Sequence, residues 1–149
     1  MSSKSLSGSQ QAILVIPLHR LNLCLPLYGG VSAGFPSPAD DYLEEHLDVG
    51  DYLVKNPTAT FFVRVQGDSM VGAGIHPDDI LVVDRSLAAR HNTIIIAVLN
   101  GEFTVKRLYK KGGDIRLVPE NPRYASLSIR DGDEFDVWGV VAHVLHKPT

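Results

Sequence analysis

The sequence predicts a mainly β domain preceded by an extended N-terminal arm. Three observations carry that prediction: apolar residues alternate with period two from Thr60 onward, an Asn100-Gly101 pair sits between two β-rich segments, and composition and charge change near residue 33. The chain has 149 residues, 44% of them hydrophobic and 21% charged, which are the proportions of one ordinary globular domain. Fourteen Lys and Arg against seventeen Asp and Glu give a net charge of -3 with neutral histidines, which argues against a surface that coats nucleic-acid phosphates. One cysteine, Cys24, cannot form an internal disulfide, and neither CxxC nor HExxH occurs. A reducing, cytoplasmic setting without a recognisable zinc motif is expected.

Residues 1–33 contain Lys4 and Arg20 and no Asp or Glu, so the remaining 116 residues hold twelve basic and seventeen acidic side chains. The arm is therefore positive, the rest negative, and the flexible Val31-Ser32-Ala33-Gly34 marks the boundary. Its two apolar runs, Ala12 to Leu18 and Leu21 to Tyr28, are broken by His19-Arg20 and fall short of the roughly 20 residues that span a bilayer. Lys4 and Val31-Ser32-Ala33 imitate a secretory signal and its cleavage site, but the His-Arg pair interrupts the apolar stretch. An extended segment packing on the domain is the preferred reading.

Beyond Gly34, Ser37 can cap a helix, Pro38 suits its first position and Asp40 and Asp41 suit its positive end. Tyr42, Leu43 and Leu47 would form its apolar stripe, Gly50 would end it, and Asp51 to Lys55 could make another turn. The acidic cluster from Asp40 to Asp48 reads as a solvated helix face. From Thr60, Phe61, Val63 and Val65 alternate with Phe62, Arg64 and Gln66. Further strands are expected at Ile80 to Asp84, Thr93 to Leu99, Glu102 to Tyr109, Ile115 to Val118 and Glu134 to Leu145. Asn100-Gly101 suits a type I′ turn, which needs positive φ at both central residues, and makes the flanking segments antiparallel neighbours.

Two residues offer chemistry. Ser69 follows a strand in Gly67-Asp68-Ser69-Met70, where a glycine permits a sharp turn that presents backbone N–H groups near the hydroxyl. Taken alone, it reads more simply as a turn serine bonded to local backbone. Alternation places Lys106 on the strand face of Thr104 and Leu108, away from Phe103 and Val105. An ordinary lysine there would lay its stem over apolar neighbours and keep its ammonium in water. A desolvated one would have a lowered pKa, so that its neutral amine could take the proton of a serine hydroxyl. The local SxxK pattern is absent, since Met70, Val71 and Gly72 follow Ser69, and any Ser-Lys dyad must be made by the fold. His143 and His146 lie three apart at the end of the last expected strand, a poor spacing for shared metal ligation, and read as structural or exposed, while Cys24 reads as a small apolar residue between leucines.

Four segments together resemble the UmuD-like, LexA-type self-cleaving serine peptidases of the bacterial DNA-damage response (S24 type). They are Ala33-Gly34-Phe35-Pro36-Ser37-Pro38-Ala39-Asp40-Asp41-Tyr42, Gly67-Asp68-Ser69-Met70, Gly101-Glu102-Phe103-Thr104-Val105-Lys106 and Phe135-Asp136-Val137-Trp138-Gly139-Val140-Val141, in the family's order. Ser69 and Lys106 stand 37 positions apart, as in that family. The resemblance implies twisted antiparallel sheets of the LexA/UmuD C-terminal peptidase type, with a short N-terminal helix and an extended arm. It makes Ser69 the nucleophile, Lys106 its base and Ala33-Gly34 the scissile bond, with backbone N–H groups of Asp68 and Ser69 as candidates for the oxyanion hole. Residues 1–33 become an arm removed by self-cleavage, and 34–149 a peptidase-fold and dimerisation domain.

The resemblance further implies cleavage stimulated by a RecA filament on single-stranded DNA. The processed homodimer would serve a UmuC-like Y-family polymerase in translesion synthesis, in the bacterial cytoplasm, with no membrane and no metal or cofactor. Only 33 residues precede the junction, too few for the operator-reading helix-turn-helix of the LexA branch, so direct sequence-specific DNA binding is not expected. A signal-peptidase-related enzyme would need a membrane anchor. A noncatalytic β-rich interaction module, with Ser69 and Lys106 structural, stays open.

Overall fold

Backbone pairing across long sequence separations dominates the chain, as period-two patterning requires. The computed structural model describes residues 23–30 and 43–149. Ala33, Gly34 and the expected helix start at Ser37-Pro38 lie outside the described residues. Contacts divide the chain into two units, Met1–Tyr52 and Leu53–Thr149.

In the first unit, β1 (Cys24–Tyr28) pairs antiparallel with β2 (Leu43–Asp48), Cys24 opposite Asp48 and Leu25 opposite Leu47. This corrects the helix expected up to Asp48. Glu44, Glu45 and His46 accept either conformation, and the apolar stripe of Leu43 and Leu47 is too thin to hold a helix, whereas the ladder to β1 satisfies the backbone directly. The short helix α1 comes later, at Val49–Leu53, and runs through Gly50 instead of stopping there. Its start is set by Asp48, whose carboxylate accepts the Asp51 N–H at 3.1 Å as an N-cap should.

The second unit is a seven-stranded antiparallel sheet. Its strands are β3 (Thr60–Arg64), β4 (Ile80–Asp84), β5 (Ile94–Leu99), β6 (Glu102–Lys111), β7 (Asp114–Val118), β8 (Leu127–Ser128) and β9 (Phe135–Leu145), in the order β3-β4-β9-β5-β6-β7-β8. The expected strands are all present, and the two-residue β8, too short for a periodic signal, is added. Asn100 and Gly101 turn between β5 and β6 with φ of 50° and 85°, leaving Leu99 opposite Glu102. That is the positive-φ hairpin its sequence specifies.

The strand β9 lies inside the sheet, third of the seven, between β4 and β5. The first half of β9 pairs with β5 and its second half with β4, with register shifts between Val137 and Gly139 and between Val141 and His143. Such bulges bend and twist a strand, which lets one strand serve two neighbours that diverge. Gly139 is required at the bend because a Cβ there would stand 2.7 Å from Val83 Cγ1 and 3.2 Å from the Asp84 carbonyl oxygen. Two core clusters result: Val65, Met70, Ile75, Leu81, Val83 and Ile96 form one, and Ile95, Ala97, Leu108, Leu117 and Val140 the other. β5 contributes to both, so its near-continuous apolar run Ile94 to Leu99 is explained by burial on two faces.

Candidate functional site: a serine and a lysine in a cleft

The strand β3 and the hairpin of β5 and β6 border a cleft of about 240 Å³, lined among others by Val63, Gln66, Ile96 and Phe103. Ser69 and Lys106 also line it. After β3 the chain reverses at Gly67, whose φ of 81° suits glycine, and descends into the turn carrying Ser69. Backbone bonds bracket that turn: the Glu120 N–H donates to the Ser69 carbonyl at 2.8 Å, and the Gly72 N–H donates to the Glu120 carbonyl at 2.7 Å. Gly72 permits the approach, since a Cβ would meet that carbonyl oxygen at 2.7 Å.

Side chains secure the preceding residue. Asn121 Nδ2 donates to the Asp68 carbonyl at 2.9 Å, the Tyr124 hydroxyl donates to Asp68 Oδ1 at 2.5 Å, and Arg123 lies 3.8 Å from Asp68 Oδ2. The carbonyls of Asp68 and Ser69 are thus engaged, while among the described residues no acceptor takes either N–H.

Lys106 reaches the serine across this space, its Nζ 3.0 Å from Ser69 Oγ. It also contacts Thr104 Oγ1 at 2.8 Å and the Val105 carbonyl at 3.1 Å. A carbonyl can only accept, so one N–H must go to Val105, and a second can go to the Thr104 hydroxyl. The third direction then points at Ser69, as a donated N–H in the ammonium or as the lone pair in the neutral amine. Burial pushes the Lys106 amine below its ordinary 10.5, and among the described residues no carboxylate hydrogen-bonds it to restore the charge. The arrangement can therefore move a proton between a hydroxyl and an amine.

Residues 26–142 match the Peptidase S24-like family model. The chain belongs to that family. It is 49% identical to Protein SamA of Salmonella typhimurium over 115 residues, 77% of this chain and 79% of that protein. It is 46% identical to Protein MucA of Escherichia coli over 116 residues, again 77% and 79%, and 40% identical to LexA repressor 2 of Geobacter sulfurreducens over 114 residues, 76% and 55%. These likenesses make it a UmuD-like member of the LexA/UmuD group, of the serine peptidase kind. Among the described residues no helix is long and apolar enough to cross a membrane.

Sequence reasoning singled out Ser69 and Lys106, and the structure places them together; it did not single out Thr104 or the Asn121, Arg123 and Tyr124 support. Asn121-Pro122 was legible only as a turn, because its grip on Asp68 spans 53 positions. Thr104 carried a signal, the shared strand face with Lys106. His146 Nδ1 stands 2.6 Å from Asp79 Oδ1, with the His76 ring beside it.

Proposed function

We propose that this chain is an SOS-response protein that cuts its own arm at Ala33-Gly34, using Ser69 as nucleophile and Lys106 as base. The observation that carries the reading is the 3.0 Å approach of a carboxylate-free, desolvated lysine to a serine held in a braced turn. The neutral amine takes the Ser69 proton as Oγ attacks the Ala33 carbonyl, and the backbone N–H groups of Asp68 and Ser69 face the developing oxyanion. The proton passes to the Gly34 amine as the peptide bond breaks, and water then releases the acyl group from Ser69. β3 is an edge strand of its sheet and borders the cleft, so an extended substrate backbone can pair along it.

Residues 1–33 are then the removable arm and 34–149 the retained domain. A RecA filament on single-stranded DNA favours the arm-docked conformation, and the processed homodimer joins a UmuC-like Y-family polymerase for translesion synthesis. The likeness to SamA and MucA supports this assignment.

Intact mass against time for the wild type, Ser69→Ala and Lys106→Ala at neutral and alkaline pH tests the reading. A fragment beginning at Gly34, formed faster at alkaline pH and absent from both variants, is expected. A wild type that stays whole even with RecA, single-stranded DNA and nucleotide would leave a noncatalytic interaction module in its place.

A further inference from the structure

A second group of ionisable side chains shares none of the dyad's residues. It joins two places far apart in sequence: the turn before β4, with His76 and Asp79, and the residue that follows β9, His146. Each offers one ligand atom, and these atoms all lie within 4.8 Å of one another. Asp79 is only 3% exposed, and its oxygens are divided between two partners. Oδ2 accepts the His76 backbone N–H at 2.8 Å, and Oδ1 lies 2.6 Å from His146 Nδ1. His76 Nδ1 is buried, has no hydrogen-bond partner among the described residues and stands 3.8 Å from Asp79 Oδ2. A buried imidazole nitrogen aimed at a carboxylate without bonding to it needs an explanation, and a cation between the two supplies one.

We propose that His76, Asp79 and His146 bind a divalent transition-metal ion of the zinc class. Two imidazoles and one carboxylate suit such a metal, whereas magnesium and calcium select oxygen ligands. Tetrahedral zinc with bonds of about 2.0–2.2 Å places its ligand atoms about 3.3 Å apart. The His146–Asp79 contact at 2.6 Å would open and the His76–Asp79 separation at 3.8 Å would close, each by less than about 1 Å. Both histidine side chains are about half exposed, which leaves the fourth position to water.

The His76 N–H already orients the carboxylate, as an outer partner does in metal sites. The turn is fixed in its own right: the Val65 N–H donates to the Asp79 carbonyl and the Asp78 N–H to the Val65 carbonyl, both at 2.9 Å. A bound ion would therefore clip the segment after the last strand to a rigid turn, a structural role separate from proton transfer at Ser69. This site departs from the sequence reading, in which the separation of His76, Asp79 and His146 hides any shared ligation.

Titration of the full-length Cys24→Ser protein, which has no thiol, with zinc ions by calorimetry and with cobalt(II) by visible absorption tests the site. One ion per chain, tetrahedral cobalt bands and a thermal midpoint raised by zinc are expected. His76→Gln and His146→Gln keep a hydrogen-bonding amide at half-exposed positions, and each should weaken binding by at least about tenfold, the loss that even removing an outer-shell partner causes. His46→Gln and His91→Gln should bind as the parent does. Absence of saturable binding to protein with native circular dichroism would overturn the proposal. So would binding that survives both His76→Gln and His146→Gln unchanged, or that falls equally in the two controls.

Discussion

Lys106 and Asp84 are both withdrawn from water, and their surroundings treat the charge in opposite ways. Asp84, only 4% exposed, accepts hydrogen bonds from Asn56 Nδ2 at 2.8 Å, the Ser86 N–H at 2.8 Å and the Ser86 hydroxyl at 2.6 Å. The bonds from Asn56 and Ser86 outweigh burial and hold its carboxyl below the ordinary value, so the charge is kept. Lys106 also has three polar partners, but its ammonium would have to meet two hydroxyls and one carbonyl with no opposite charge, and burial lowers its pKa. The fold keeps an ion where it ties β4 to Asn56, ahead of β3, and weakens one beside the Ser69 hydroxyl.

The largest effect expected from breaking this contrast is at the dyad. Ser69→Ala or Lys106→Ala should reduce self-cleavage by roughly 10⁴-fold or more, read as product beginning at Gly34 over time. In the wild type the rate should rise with pH until the amine is neutral, reaching a plateau below the ordinary lysine value of 10.5.

Asp84→Ala comes next. It removes a buried acceptor from three donors and should lower unfolding free energy by about 2–3 kcal/mol in a denaturant titration. Because the folded pKa is depressed, the stabilisation from ionised Asp84 is present above the ordinary 3.8 and is lost as pH falls through the lowered folded value. Asp84→Ala should therefore be less acid-sensitive than the wild type.

Thr104→Val keeps the shape but removes one acceptor of the Lys106 amine, and cleavage should slow about tenfold with little change in folding, since about 1.4 kcal/mol is a tenfold change in rate. The smallest effect expected is that of Lys106→Met on stability. It abolishes cleavage yet should leave the thermal midpoint at neutral pH no lower than that of the wild type. The linkage runs opposite to Asp84: folded-state pKa lies below 10.5, so the unfolded chain binds more protons between the two values. The cost of the buried ammonium is thus present at neutral pH and fades as pH rises through the folded value. A clear loss of stability in Lys106→Met would mean that the lysine is a structural ion like Asp84.

What was legible in the chain follows the same physical divide between local and distant determinants. The β5–β6 hairpin was readable because Asn100-Gly101 fixes its turn locally, and β4 because Ile80 to Asp84 is short and apolar. The segment Leu43–Asp48 was misread because its local signals favour a helix while its decisive partner, β1, lies about twenty residues earlier. Ser69 and Lys106 could be named through family resemblance, but alternation supplied only the face of Lys106. The grip of Tyr124 and Asn121 on Asp68, and the meeting of His76 with His146, depend on separations of 53 to 70 residues that no local pattern encodes.

β9 gives the fold an order in time. The strand that β4 and β5 share comes after both of them in the chain, and until Phe135–Leu145 emerges from the ribosome each lacks that neighbour. A chain stalled before that strand would present the open flanks of β4 and β5 as edges ready to pair with another chain.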